Sequence, residues 1–320
     1  MKKLKWAPAL TGLIAIALAA MGGTRVAAGQ AGNRPKITGI SHLAVYTSDP
    51  AAAEHFYVAI LGARKGSDPE DAKGVRYYYS PTQYTEVLPL PADHTISRMD
   101  HVAFNTADAS ALRDYLKTHG VADVSELQHG SDASIYFETK DPEGNKVQFV
   151  QASPSFVIHT TGETGAKEVS SRVIHVGFLV HDKAKEDAFY KQLLGFRPYW
   201  YGAMQPDKVD WVSQQVPDGH DWLEYMLVGD GSTTPVSKVD ARELGVLNHF
   251  SLGVPNMEQA ITTLISEDRL PPRHDGPQMG KDGKWQANFY DPDGTRVEFM
   301  EFQPVMKPCC SDFTASSPAN

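Results

Sequence analysis

His175 stands 49 residues before Glu224, and His249 stands 49 residues before Glu298. Two imidazoles and two carboxylates at a repeated spacing are donors for a divalent ion such as Fe, Mn, Ni, Co or Zn, rather than for an all-oxygen calcium site. All four lie in short strand-like runs, where side chains alternate between faces. In the run from Val173, the residues Ile174, Val176, Phe178 and Val180 fall on one face, and His175, Gly177 and Leu179 on the other. Phe250, Leu252 and Val254 oppose His249, Ser251 and Gly253. Glu224 opposes Leu223, Tyr225 and Leu227, and Glu298 opposes Val297 and Phe299. If the apolar faces pack on helices, the four polar residues share one concave side. Carboxylates there are expensive without a cation, two close together more so. The expectation is one metal ion held by His175, Glu224, His249 and Glu298.

The N-terminal half offers His42, Glu86, His101 and Gln148 in matching positions. Glutamine replaces the last carboxylate, and a neutral amide oxygen binds metal less strongly. These four are a candidate second metal site, in a half expected to be mainly scaffold.

The elements that must position these residues are repeated. Four segments open with a short apolar strand carrying a histidine, at His42, His101, His175 and His249. A helix-like stretch follows each. In the first and third copies it holds His55-Phe56-Tyr57 to Leu61-Gly62 and Ala188-Phe189-Tyr190 to Leu194-Gly195. The second and fourth copies instead share Asp141-Pro142-Glu143-Gly144 and Asp291-Pro292-Asp293-Gly294, tight turns leading into alternating strands. The pattern A-B-A-B makes each unit a strand, a helix and about three more strands. Two units form a domain, at 37–152 and 171–304, joined by a polar linker at 153–170.

These words, twice and in order, resemble the vicinal oxygen chelate superfamily of glyoxalases, bleomycin-resistance proteins and extradiol dioxygenases. The resemblance covers roughly residues 37–304. It implies an α+β fold of four βαβββ modules, paired into two cup-shaped domains with helices outside. It also implies metal ligands at the strand positions of His175, Glu224, His249 and Glu298, and that Gln148 could ligate, as glutamine does in some glyoxalases.

Three readings of the chemistry stand open. The first is a lyase or isomerase of glyoxalase or epimerase type, in which a base removes a proton beside a carbonyl and the metal stabilises the enediolate. The full His-Glu-His-Glu set favours it, with Glu224 as ligand and base. Glutathione does not fit well, because Gly177, Phe178 and Leu179 follow His175 where glyoxalase carries an arginine. The second is a ring-cleaving dioxygenase using His175, His249 and Glu298, with His220 near the place of that family's acid-base histidine. Asn288 stands where that family usually has a tyrosine. The third is a binding protein without turnover, with an aromatic pocket from Trp200, Tyr201, Trp211, Trp222, Tyr225 and Trp285.

The remaining features bound the setting. A formal net charge of −9 over 320 residues argues against a nucleic-acid partner and leaves a small-molecule substrate. Lys2, Lys3 and Lys5, an apolar run from Ala7 to Met21, and small residues at Val26-Ala27-Ala28 have the layout of a secretory signal over residues 1–31. The expectation is export to the periplasm or beyond, with no membrane association after cleavage. Cys309 and Cys310 are adjacent and close no loop, within a tail at 305–320 expected to be disordered.

Overall fold

The computed structural model describes residues 34–92, 97–155, 158 and 166–319; the expected leader and half of the linker lie outside the described residues. The first half forms β1 (Ile37–Thr47), β2 (Arg64–Ser67), β3 (Val75–Ser80), β4 (Gln83–Pro89), β5 (Met99–Thr106), β6 (Gln128–His129), β7 (Ile135–Lys140) and β8 (Lys146–Gln151). The second forms β9 (Val173–Val180), β10 (Arg197–Gly202), β11 (Trp211–Gln215), β12 (Trp222–Leu227), β13 (His249–Val254), β14 (His274–Met279), β15 (Trp285–Tyr290) and β16 (Arg296–Glu301). The sheet orders are β2-β3-β4-β1-β5-β8-β7-β6 and β10-β11-β12-β9-β13-β16-β15-β14. Each sheet joins two four-stranded modules through an antiparallel central pair, β1 with β5 and β9 with β13. Within a module the first and last strands run parallel. Each sheet curls into a half-barrel. This arrangement puts the four histidine-bearing strands at the centres of the sheets.

The histidines are aimed by a bulge. In β9, His175 pairs with Ser251 and Val173 with Leu252, so Ile174 is the extra residue. In β1, Ile40 pairs with Phe104 and His42 with Ala103, so Ser41 is the extra residue. A bulge re-aims the side chains beside it. It also corrects the simple alternation: Ile174 packs with Tyr199, Trp200 and Trp222 on the cup side, apart from Val176, Phe178 and Val180.

The Phe-Tyr words lie in helical turns. Helix α1 (Pro50–Glu54), capped by Asp49, continues as a π-helical turn over His55–Ile60. Helix α2 (Ala109–Thr118) serves the second module. Helix α3 (Lys183–Glu186), capped by Asp182, continues likewise over Asp187–Leu193. Gly62 and Gly195 follow at φ of 79° and 78°, the left-handed region in which glycine ends a helical turn without strain.

The two kinds of sequence word meet across the halves. Tyr57 Oη donates to Asp291 Oδ2 at 3.0 Å, and Tyr190 Oη donates to Asp141 Oδ2 at 3.3 Å. Each A-type tyrosine thus reaches the B-type Asp-Pro turn of the opposite half. The same turns clasp the strand ends: Asp293 accepts from the Ser48 backbone N–H at 2.9 Å, and Glu143 from that of His181 at 2.6 Å. Burial pushes the Asp291 carboxyl up to about 6 despite its donors. Tyr57→Phe should therefore lower the unfolding free energy by about 2 kcal/mol, the worth of a buried hydrogen bond to a carboxyl group. An unchanged urea midpoint in that variant would show that this contact does not hold the halves.

The residues expected to form a disordered tail are packed. The backbone N–H groups of Cys310 and Thr314 donate to the carbonyls of Tyr201 and Tyr199 on edge strand β10. Gln215 Nε2 donates to the Ser316 carbonyl at 2.8 Å, and Phe313 packs against the Tyr199–Trp222 cluster. A tail rich in Pro, Ser and Ala orders here because it covers unpaired groups of an edge strand and contributes one aromatic anchor. Cys309 and Cys310 are bonded to each other within it.

Candidate metal centre

The second sheet brings His175 from β9, His249 from β13 and Glu224 from β12 together, with Glu298 from β16 beside His175. The two Nε2 atoms are 3.0 Å apart. Glu298 Oε2 lies 3.3 Å from His175 Nε2, and Glu224 Oε2 lies 3.7 Å from His249 Nε2 and 4.0 Å from His175 Nε2. His249 Nδ1 donates to the Leu247 carbonyl at 2.9 Å, which leaves its Nε2 lone pair directed at the cluster. Buried Glu298 Oε2 has no hydrogen-bond partner. An orphaned carboxylate oxygen facing an imidazole nitrogen is what a divalent cation would satisfy, so the donor set fits the expected ion.

The four groups differ in access. The side chains of His175, His249 and Glu298 are 0–3% exposed, whereas Glu224 is 12% exposed. Glu224 therefore opens onto the cavity, and Ser213 Oγ donates to its other oxygen at 3.2 Å. Burial raises the Glu224 carboxyl, which makes it a stronger base. Burial acts in the same direction on Glu298, but His175, Arg296 and Ser251 outweigh it and hold that carboxyl below the usual range. Burial, with Arg296 and His175 adding to it, keeps His249 neutral, the form that can ligate.

Gly177 is what lets His249 into place. A Cβ on Gly177 would lie 2.2 Å from His249 Cε1. The position that lacks glyoxalase's arginine thus has its own steric role here.

The cavity has a volume of about 300 Å³, with walls that include Trp200, Trp211, Trp222, Phe313, Asn288 and Arg296. Among the candidate aromatics, Tyr225 is fully buried in the core instead. His220 does not reach this centre. It lies exposed between β11 and β12, where its carbonyl accepts from Gln215 Nε2 at 3.0 Å. Position 220 lies in the turn between the two strands, and His220 is not among the residues that line the cavity.

Sequence reasoning missed Lys284. It follows a glycine in a hairpin and reads as an ordinary surface lysine, yet it is fully buried. Its Nζ lies 4.7 Å from the Trp222 ring centre, 5.2 Å from that of Phe313 and 5.8 Å from that of Tyr199. Burial lowers its pKa from 10.5 to about 8, against the opposing pull of Asp282, Glu298 and Glu224. Below about pH 8 the amine is charged in both folded and unfolded chains, and burying it costs about 3 kcal/mol. Between about 8 and 10.5 the folded protein gives up the proton first, so this group makes stability rise with pH. Lys284→Met should abolish that rise and lift the melting temperature at pH 7. Parallel pH–stability curves for variant and wild type would contradict the burial argument.

In the first sheet His42, His101 and Glu86 also converge, with the two Nε2 atoms 2.8 Å apart. Gln148 turns its amide nitrogen to Glu70 Oε2 at 2.7 Å.

Against known proteins, a model described as the Glyoxalase/Bleomycin resistance protein/Dioxygenase superfamily matches residues 39–149, and a second of the same description matches 174–306. None of the curated proteins matches the chain. Among solved structures the chain is similar to a catechol 2,3-dioxygenase, at 17% identity and a TM-score of 0.59, covering 89% of this chain and 95% of that one. It is also similar to homoprotocatechuate 2,3-dioxygenase from Arthrobacter globiformis, at 16% identity and 0.61, covering 84% and 80%. The 2,3-dioxygenase LapB from Pseudomonas sp. KL28 gives 17% and 0.60, covering 86% and 96%. At these identities the likeness is one of fold.

Proposed function

Since the chain belongs to the glyoxalase, bleomycin-resistance and dioxygenase superfamily, we propose that its second half is a metal-dependent lyase or isomerase acting beside a carbonyl of a small oxygenated substrate. The observation that carries this reading is Glu224, a second carboxylate within 4.0 Å of both imidazoles and open to the cavity. In this reading His175, His249 and Glu298 hold the ion and Glu224 completes the set. The ion supplies Lewis-acid polarisation of a substrate carbonyl. Glu224 would take the adjacent proton, as the carboxylate that reaches both imidazoles and the cavity. The aromatic walls exclude water and suit a substrate with a flat apolar part.

A ring-cleaving dioxygenase is the second reading. The four-module architecture shared with the solved 2,3-dioxygenases favours it, with His175, His249 and Glu298 as the ligands. Exposed His220 and Asn288 at the usual tyrosine position weigh against it. Metal analysis of the purified protein, followed by oxygen uptake with catechols, separates the readings. Nickel, cobalt or zinc without oxygen uptake supports the first. Iron with oxygen uptake overturns it in favour of the second, and no metal in any preparation leaves a binding protein.

A further inference from the structure

Resting on the placement of the substrate in the second half, we infer that this substrate carries a carboxylate, which Arg296 binds at the wall of the cavity. Arg296 opens β16 and shares a strand face with Glu298. In register it stands beside His249 on β13. It lines the same cavity as Glu224 and Glu298. Its guanidinium is nonetheless poorly satisfied. Among the described residues it makes one hydrogen bond, from Nη1 to Asn288 Oδ1 at 3.5 Å, and its Nε is buried without an acceptor. Glu224 and Glu298 feel its charge, but they turn to the imidazoles, and no carboxylate among the described residues forms an ion pair with it. A cation left in this state in a cavity wall is a docking point for an anion.

The first half shows what is missing. There Lys146 holds the corresponding place, opening β8 beside His101. Its Nζ lies 2.8 Å from the Asp100 carboxylate and 3.8 Å from that of Glu138. Asp100 precedes His101 as Asn248 precedes His249. Glu138 pairs with Gln148 as Asn288 pairs with Glu298. Both acids of the first half are thus asparagines in the second. A neutral amide oxygen is a weaker acceptor for a guanidinium than a carboxylate, and Asn248 Oδ1 is already taken by the Leu179 backbone N–H at 3.1 Å. The second half keeps the cation without either acid, so its counter-charge comes from outside the chain.

The chemistry of the group suits a carboxylate. A guanidinium presents a planar fork of N–H groups that matches two carboxylate oxygens, and such a charged pair is stronger than a neutral hydrogen bond. Trp200, Trp211 and Trp222 line the same cavity and receive the apolar part of the molecule. Because Arg296 adjoins His249 and Glu298, an acid held there lies close to the carbonyl of the proposed reaction. The substrate class is therefore a short oxo acid, rather than a chain with a remote acid group.

The test is a titration of the full-length protein, as purified with its metal, with benzoate and benzamide, read by tryptophan emission. The two probes are alike in shape and differ in charge. Wild type should bind benzoate more tightly. Arg296→Gln should weaken benzoate by about tenfold or more, and leave benzamide binding and metal content unchanged. Asn288→Asp puts an acid beside the guanidinium, as Glu138 stands beside Lys146, and should weaken benzoate likewise. It serves if Arg296→Gln does not fold. Equal affinity for the two probes in wild type, or benzoate binding unaltered in both variants, would overturn the inference. So would inorganic phosphate binding more tightly than benzoate. The readout is binding rather than turnover, so a protein that fails the lyase or isomerase reading leaves this comparison intact.

Discussion

Glu224→Gln should cut turnover by about a hundredfold or more, the usual effect of losing a positioned base. The change keeps the shape of the side chain and the neighbouring Ser213 Oγ, 3.2 Å away in the wild type. It removes the negative charge and the basicity. Exchange of the substrate proton with deuterated solvent, followed by nuclear magnetic resonance, reads this step directly. Loss of exchange with most of the metal retained would assign the proton transfer to Glu224. Turnover within a few-fold of wild type would sink the lyase or isomerase reading and return Glu224 to the status of a neighbour. If the activity is instead oxygen uptake with a catechol, three ligands suffice and the variant should retain part of it.

His249→Ala should remove the metal equivalent of the second half and all activity that depends on it, while the circular dichroism spectrum stays native. The imidazole faces the cup, and the strand's other face carries the packing through Phe250 and Leu252. Gly177→Ala offers an independent route to the same loss. It removes no ligand, but its Cβ would stand 2.2 Å from His249 Cε1 and would force the ring out of position. Metal loss in both variants ties the ion to the placement of one imidazole. Equal metal content in wild type and His249→Ala would refute the assignment.

Some of this was legible in the chain because it is local. Strand alternation has a period of two, so the polar faces carrying His175, Glu224, His249 and Glu298 could be read directly. The 49-residue spacing reflects a duplicated unit, and duplicated units reproduce the same positions when they fold. The Phe-Tyr and Asp-Pro words marked the modules, though not that Tyr57 meets Asp291 and Tyr190 meets Asp141 across the halves. Each word is half of one contact, and its partner lies 234 or 49 residues away.

What the sequence determined by itself is therefore the module order, the two candidate donor sets and the side of each strand they occupy. Tertiary structure decided the rest. It left His220 on an outer turn and buried Lys284 among three rings. It laid the tail along edge strand β10 and placed Arg76 in the first cup beside Glu86. The physical reason is common to all of these. Burial and pairing depend on which distant surfaces come to cover one another, and no local period or spacing encodes that. The two cups carry nearly the same donors, yet in one Trp200, Trp211 and Trp222 line a cavity of about 300 Å³, and in the other Arg76 sits beside Glu86.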